Sequence, residues 1–549
     1  MLLAAVAIAA APAHAYIGDS FLNIPGKSGH WSGKDHKGWV RAQSNEWSGR
    51  LRRISSGNSD ALAGNKLFFG GPNAPKPGNS GKLNLAISKK NPDLPRLMAI
   101  CASKEAIAEM GFAESSERAR PLLELGPRPA GMPEYWEYKL RNVQVVGCPV
   151  VDGAEDQALI LAFKDIEWLN YDPDRPMMNK ITVKPEDLPH AAPADPKSAK
   201  GIKSFLITWI APATDTTDAQ CPVMNSKPGP ADVFRYMPKA DADRIRAQNG
   251  EKGVTFGPQS EARGPDRLNV NLLPGIIPDP GLAEPKSMVV EGIDLDGDGG
   301  KSLHSNGGRK KNFVSPDGRP GIDNQLYPIM GCIAGFRGKN GYRNQTSNAR
   351  RADGNVTTLI EISGIDDEKN DDEVEIAFIY ARDKPIRDNV GSKFIPNYTF
   401  RPTDDPNFAL YNFRVKGRIV NGVILSDMIP TFEANLGQDP LLRLFQAKLR
   451  FEPQPDGSVK GILGGYRDWR YLADSHASGY SEGLFGYQQP ALYYALKRNA
   501  DGLKNPVTGE YDGISVAYRI DTVPAFLTAN MPGNPVQVAE DISSSRKSR

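Results

Sequence analysis

The chain has 549 residues, which is too long for one ordinary hydrophobic core and predicts about two to four domains. Its 67 basic and 65 acidic side chains nearly cancel and are mixed along the chain, so the charge gives no indication of a nucleic-acid partner or an anionic membrane. With 54 glycines, 45 prolines and many short runs of β-branched and aromatic residues, the composition favours strands and loops over helices.

Residues 1–15, MLLAAVAIAAAPAHA, form a short apolar run that ends in an A-x-A site before Tyr16. This pattern predicts a secretory signal peptide, because the run is too short to cross a bilayer. No other segment reaches about 18 consecutive apolar residues. We therefore expect a periplasmic or extracellular protein without an integral membrane segment.

Export would place the four cysteines in an oxidising compartment, where an even number of cysteines indicates disulfide bonds. Three pairings are open, and local pairing within domains favours Cys101–Cys148 and Cys221–Cys332. The alternative is that all four are buried free thiols. Their spacing matches no zinc site.

The first unit covers residues 16–172, in which apolar residues alternate with polar ones and so predict strands. Residues 94–110 break this alternation, because their apolar residues have helical spacing and no glycine interrupts them. One helix among strands indicates a small β-barrel or sandwich. The predicted strands are 19–26, 38–47, 81–90, 137–147 and 157–171.

The phrases in this unit, in order, are SFLNIPGKSG, KDHKGWVRAQSNEW, LNLAISKK, MAICAS, YKLRNVQVVG and LAFKDIEWLNY. Together they resemble the Hcp family, whose members form the tube of the type VI secretion system. The resemblance covers less than a third of the chain. It implies a β-barrel with one flanking helix that assembles into hexameric rings. It therefore also implies a homo-oligomer, ring-like or tube-like, or a protein partner.

Residues 173–200 are rich in Pro, Asp and Lys and are predicted to be a linker. An irregular middle segment, 201–286, follows. It contains a predicted strand at 202–211 and a predicted helix at 229–250 that Pro238 kinks or divides. Its last part, 264–281, is extended and broken by prolines, and it is expected to lie as a strap on a domain and not to form a core strand.

Residues 287–530 are predicted to form a larger C-terminal antiparallel β-domain with few helices, one of them at 488–501. Asn421-Gly422 between β-prone runs is a strong hairpin signal. The phrases GRPGIDNQLYPIMGC, GYRDW and ALYYALKRNADG resemble uncharacterised exported bacterial β-domains. This resemblance does not indicate any particular activity. The tail, 531–549, is polar and predicted to be disordered. Strands are predicted at 287–294, 356–364, 373–381, 412–426, 445–466 and 513–526. The expected fold class is thus mainly β, with an N-terminal Hcp-like barrel and this second domain.

The segment EGIDLDGDGG at 291–300 contains D-x-D-x-D-G, in which alternate carboxylates converge when the backbone curls at glycine. An EF-hand is excluded because position twelve is Ser305 and not an acid. Further acids follow in SPDGRPGIDNQ. The sequence therefore predicts a structural Ca²⁺ site, with a solvated acidic turn as the alternative. The predicted ligands are Asp294, Asp296, Asp298, Asp317 and Asp323.

The segment 479–483, GYSEG, matches the G-x-S-x-G motif of hydrolases, but no histidine follows Ser481 as the hydrolase order requires. His476 precedes it instead. The sequence shows no nucleophile–base pair, no cofactor loop and no histidine-rich metal centre. We therefore assign no catalytic and no cofactor-binding residue and favour a non-enzymatic protein.

These observations predict an exported assembly or binding protein with a self-associating barrel and a calcium-stabilised β-domain. Two alternatives stay open. One is an Hcp-like protein of the type VI secretion system that carries a C-terminal effector enzyme. The other is a secreted carbohydrate- or surface-binding protein, in which the aromatic side chains of 465–472 and 484–494 are exposed as stacking platforms.

Overall fold

The computed structural model describes residues 19–26, 28–48, 74–115, 133–170, 201–221, 239–249, 254–255, 268–269, 272–305, 310–391, 393–403, 405, 408, 412–435, 442–477 and 489–528. The predicted signal peptide, the whole of the predicted linker and the predicted tail lie outside these residues. The described strands form two large antiparallel sheets, one in the N-terminal part of the chain and one in the C-terminal part.

The N-terminal sheet is a closed barrel. Its strands are β1 (Ser20–Asn23), β2 (Val40–Ala42), β3 (Ser44–Ser48), β4 (Gly81–Ser88), β5 (Ala106–Ser115), β6 (Tyr135–Gly147), β7 (Asp156–Phe163) and β8 (Asp165–Trp168). The order is β2-β1-β5-β6-β7-β4-β3, with β8 on β6. Only Gln43 separates β2 from β3, so the pairing of β2 with β1 and of β3 with β4 closes the sheet. Alternate side chains such as Leu83, Leu85 and Phe112 fill the interior.

Helix α1 (Leu94–Ser103) flanks this barrel and is shorter than the sequence predicts. The predicted helix at 94–110 is wrong beyond Ser103, because Lys104 adopts a left-handed conformation with φ 54° and ends the helix. The following residues form β5, which places Met110 in the barrel core. A disulfide joins Cys101 of α1 to Cys148 just after β6, as the preferred pairing predicts.

The C-terminal part contains strands β9 (Lys203–Pro212), β10 (Val254–Thr255), β11 (Leu268–Asn269), β12 (Phe313–Val314), β13 (Pro320–Ile322), β14 (Thr357–Ser363), β15 (Asn370–Ala381), β16 (Tyr398–Phe400), β17 (Phe413–Val420), β18 (Val423–Ser426), β19 (Ile429–Ala434), β20 (Leu442–Pro453), β21 (Val459–Asp468), β22 (Gly502–Lys504) and β23 (Tyr511–Leu527). Its described helices are α2 (Lys239–Asn249), α3 (Leu326–Met330), α4 (Tyr342–Ala352), α5 (Trp469–Ala477) and α6 (Gln489–Asn499).

These strands also form a closed barrel, the C-terminal barrel. The order β23-β21-β20-β18-β17-β15-β14-β9 returns to its start, because β9 pairs with β23 as well as with β14. All these pairings are antiparallel. Strand β9 is the strand predicted at 202–211, so it belongs to this barrel and not to a separate middle segment. The structure thereby confirms the predicted fold class, which is mainly β with an N-terminal barrel, one flanking helix and a larger C-terminal antiparallel β-domain with few helices.

Local predictions in the C-terminal part had mixed outcomes. The hairpin at Asn421-Gly422 is confirmed, since it joins β17 to β18 and both residues have positive φ. The strand predicted at 287–294 is wrong: this segment makes isolated bridges at Val289 and Ile293, and no continuous strand forms. The second preferred disulfide, Cys221–Cys332, is present and joins the segment after β9 to the end of α3.

The two barrels meet at a junction built by residues 272–281, here called the strap, and by α6. The strap covers an apolar outer face of β4 and β7, where Leu273 and Ile276 pack near Ile160. The Tyr494 hydroxyl of α6 lies within hydrogen-bond distance of the carbonyl oxygens of Gly275 and Ile277, at 3.1 Å and 2.6 Å. The prediction that this segment lies as a strap on a domain is therefore confirmed for 272–281. Among the described helices, none is long and apolar enough to cross a membrane.

Candidate functional site

The acidic loop at 294–299 curls tightly, as its D-x-D-x-D-G pattern predicts. The Asp294 carboxylate accepts the backbone N–H of Gly297 at 2.8 Å and that of Gly299 at 3.1 Å. The Asp298 carboxylate accepts the N–H of Gly300 at 2.6 Å and that of Ser302. Desolvation raises the pKa of Asp298, but hydrogen bonds from Ser302 and Gly300 together outweigh desolvation and hold this pKa well below its usual range.

The five predicted ligands do not come together as one set. Carboxylate oxygens of Asp294, Asp296 and Asp323 lie within 4.8 Å of one another. Asp298 and Asp317 are not in this group. Arg319 pairs with Asp317 at 2.8 Å. Burial raises the pKa of Asp317, but the hydrogen bonds from Arg319 and Ser315 and the charge of Arg319 together outweigh burial and lower this pKa to about 2. Three of the five residues therefore form the candidate cation site.

A lysine already lies in this site. The Nζ atom of Lys310 is 2.8 Å from Asp296 Oδ2 and 2.6 Å from Asp323 Oδ1, and the Lys310 side chain is 0% exposed. Burial alone lowers the pKa of the ammonium, but hydrogen bonds to both carboxylates outweigh burial and raise it above its usual value. Lys310 therefore stays charged at neutral pH.

The residues around Lys310 do not fit a calcium ion while the ammonium is in place. Calcium takes six to eight oxygen ligands. The remaining oxygen of Asp323 accepts the backbone N–H of Leu295 at 2.8 Å and of Asp296 at 3.3 Å. Calcium binding at this loop stays a prediction of the sequence. Sequence reasoning missed Lys310, and the available signal was the basic pair Lys310-Lys311 that follows an acidic loop.

A second cluster of polar side chains lines a cleft between the two barrels. The cleft has a volume of about 10 Å³, enough for about one water molecule, whereas small-molecule pockets usually exceed about 300 Å³. No room for a substrate is therefore present in this cleft. Its lining residues are Gln43, Ser44, Pro274, Arg470, Ala473, Asp474, Gln489 and Tyr493.

The charged residues near this cleft have structural partners. Asp468 caps the N-terminus of α5, because its Oδ1 accepts the N–H of Arg470 at 2.8 Å and of Tyr471 at 2.9 Å. Burial raises the pKa of Asp468 to about 7, although the Arg470 guanidinium opposes the shift. Arg470 itself forms a buried ion pair with Asp512. Sequence reasoning considered the GYRDW segment for its aromatic residues and missed this capping carboxyl.

Five rings of the aromatic platform expected for a carbohydrate-binding protein lie in the described residues; four of them are buried, and Tyr471 is half-buried. Tyr466, Trp469, Tyr493 and Tyr494 are between 1% and 6% exposed. Because a stacking platform needs an exposed ring face, the structure argues against this alternative for the described part of 465–472 and 484–494. The G-x-S-x-G segment at 479–483 lies outside the described residues.

Comparison with known proteins finds similarity at the level of solved structures. No protein-family model matches the chain, and no curated protein matches it. The solved structures that it resembles include Hcp proteins. Hcp2 from Salmonella typhimurium is 14% identical, with 28% of this chain and 88% of that chain covered and a TM-score of 0.18. Hcp1 from the same organism is 17% identical, with coverages of 28% and 85% and a TM-score of 0.17.

A type VI secretion system effector from Yersinia pestis is also similar, at 14% identity, with 28% of this chain and 98% of that chain covered and a TM-score of 0.16. At TM-scores this low, the similarity carries no argument about what the protein does. The matches leave the predicted C-terminal resemblance unsupported.

Proposed function

We propose that the protein is an exported, non-enzymatic assembly protein whose N-terminal barrel self-associates and carries the C-terminal barrel as a fixed attachment. The observation that supports this best is the closed N-terminal barrel with the single helix α1 beside it. This is the architecture that the Hcp resemblance implies for a ring-forming protein. Fold alone does not decide function, so the proposal is built on the features below.

The disulfides support export. Cys101–Cys148 lies in the N-terminal barrel, Cys221–Cys332 lies in the C-terminal part, and no free cysteine is present among the four. Disulfides persist in oxidising compartments and are rare in the cytosol. They therefore support the periplasmic or extracellular location that the predicted signal peptide at 1–15 indicates.

The partners of two buried cations favour a non-enzymatic function. In the described residues, Lys310 is held by two carboxylates and Arg470 by Asp512. The cleft between the barrels is the size of about one water molecule. A catalytic site needs reactive groups that face a space for substrate. The alternative that the C-terminal barrel is an effector enzyme stays a prediction.

The topology restricts how copies of the N-terminal barrel can meet. A closed barrel has no free strand edge, so copies must associate through side chains. The strap covers β4 and β7, and β1 and β5 lie on the other side of the strand order. There Trp31 and Trp39 are half-buried and pack against Phe21 of β1. Tryptophan is enriched in protein interfaces, so this aromatic corner is the proposed contact.

The test is the mass and symmetry of the protein without residues 1–15. Light scattering after size exclusion and negative-stain images should show a ring-shaped oligomer. The double change Trp31→Ala and Trp39→Ala should shift the oligomer to monomer while the barrel stays folded. The matched control is Leu169→Ala, an exposed apolar residue after β8 that is 48% exposed. A monomer at every concentration tested would remove self-association from the proposal.

Export is tested separately. The full chain and a chain lacking residues 1–15 are expressed, and cell fractions are compared. The full chain should reach the periplasm or the medium, and the shortened chain should stay in the cytoplasm. Equal export of both chains would contradict this part of the proposal.

A further inference from the structure

We propose that Lys310 is the permanent cation of the acidic loop, in place of the calcium ion that the D-x-D-x-D-G motif predicts. In this proposal Asp296, Lys310 and Asp323, here called the lysine clasp, close the loop without metal. The clasp fastens residues 287–305 and 310–323 to the outer face of the C-terminal barrel.

The burial of the clasp is the first argument. The Lys310 side chain is 0% exposed and that of Asp323 is 2% exposed, and their Nζ and Oδ1 atoms are 2.6 Å apart. An ammonium group without a partner in such a place costs several kcal/mol, so it must be paired and hydrogen-bonded. Asp296, at 2.8 Å, supplies the second partner. The position of Lys310 is therefore determined by these two carboxylates.

The second argument concerns the oxygen atoms that calcium would need. Asp323 uses one oxygen for Lys310 and the other for backbone N–H groups of the loop. Both oxygens of Asp294 accept N–H groups of loop glycines. Calcium usually binds six to eight oxygen atoms. To bind that number here, calcium would have to displace the Lys310 ammonium, whose side chain is fully buried.

The third argument is what the clasp holds in place. Lys448 of β20 donates hydrogen bonds to the carbonyl oxygens of Asp294, at 3.3 Å, and Leu295, at 3.0 Å. Ile293 and Leu295 pack on Tyr466 of β21. The loop therefore lies directly on the barrel wall, and the clasp connects this contact to Asp323 just after β13. Loss of the clasp should loosen this segment.

The decisive experiment compares thermal unfolding of the wild type and of Lys310→Ala in EGTA and in CaCl₂. The wild type should melt at the same temperature in both. Lys310→Ala should melt lower in EGTA, because two close carboxylates lose their cation, and CaCl₂ should raise its melting temperature. The control is Lys301→Ala, which removes an exposed lysine close to the loop and should change neither value. A wild type that melts lower in EGTA and recovers in CaCl₂ would overturn the proposal.

A second measurement needs no variant and so holds if Lys310→Ala does not fold. The native protein is treated with a limited amount of acetylating reagent, and modified lysines are mapped by mass spectrometry. Lys310 should react at least about tenfold more slowly than Lys301, because it is accessible only after local opening. Equal rates would refute the clasp, as would binding of one equivalent of calcium to the native wild type in equilibrium dialysis. Neither result depends on oligomeric state.

Discussion

Removal of the Cys221–Cys332 disulfide by the double change to alanine should strongly destabilise the C-terminal barrel. The two cysteines are 111 residues apart in sequence, so the bond restricts a long loop of the unfolded chain. The chain-entropy relation gives about 5 kcal/mol for a loop of this length. The same relation gives about 4 kcal/mol for the 47-residue separation of Cys101 and Cys148.

Differential scanning calorimetry measures this effect, since each barrel should contribute a transition. At about 1–2 °C per kcal/mol for a domain of about 300 residues, the C-terminal transition should fall by roughly 5–10 °C. The control, Cys101→Ala with Cys148→Ala, should lower the N-terminal transition instead. A loss of less than about 1 kcal/mol in the unfolding free energy of the C-terminal barrel would refute the reasoning. Detection of free thiols in the unfolded wild type, titrated without reductant, would also refute it.

Three further predictions concern the junction and its cleft. Burial raises the pKa of Asp468 to about 7 from 3.8, so its contribution to stability is present at low pH and is lost as pH rises through 7. Asp468→Asn keeps the helix cap but removes the titrating carboxyl. Between pH 5 and pH 8 the unfolding free energy of this variant should therefore fall by roughly 2–4 kcal/mol less than that of the wild type. An unchanged pH profile would contradict this. Tyr494→Phe removes the hydroxyl that reaches the carbonyls of Gly275 and Ile277, and should cost about 1–3 kcal/mol in urea unfolding. Gly275→Ala would place a Cβ 1.9 Å from Asp156 Oδ2, so hydrogen exchange in the strap should rise more than in Tyr494→Phe; the reverse order would argue against this packing.

Alternation of apolar residues predicted the strands well wherever one face lies on a core. Strands β4, β6 and β23 and the Asn421-Gly422 turn formed as expected. The helix predicted at 94–110 failed over its last residues, because AIAEM at 106–110 fits a helix locally and becomes a strand only through pairing with β6. Non-local pairing of this kind leaves no local pattern.

The candidate site shows the same limit. The sequence identified the carboxylates of Asp294, Asp296 and Asp323, but the basic pair Lys310-Lys311 did not by itself show that Lys310 is their counter-ion. It also assigned Asp317 to the site, although an arginine two residues away pairs with it. A cluster of acidic residues can be recognised in the sequence. The cation that pairs with each carboxylate depends on which side chains the fold brings together.

The closure of the C-terminal barrel between β9 and β23 has a consequence for the order of folding. Ser204 of β9 lies opposite Ala525 of β23, so the first strand of this barrel cannot complete its pairing until the last strand has been synthesised. The N-terminal barrel is complete with β8 and can close much earlier. During synthesis, the edge of β9 that pairs with β23 therefore stays open for most of the time that the chain is emerging, whereas β14 is paired by β9 and β15. This protein should depend on a holding chaperone until β23 arrives, and truncation before β23 should produce aggregates and not a smaller folded domain.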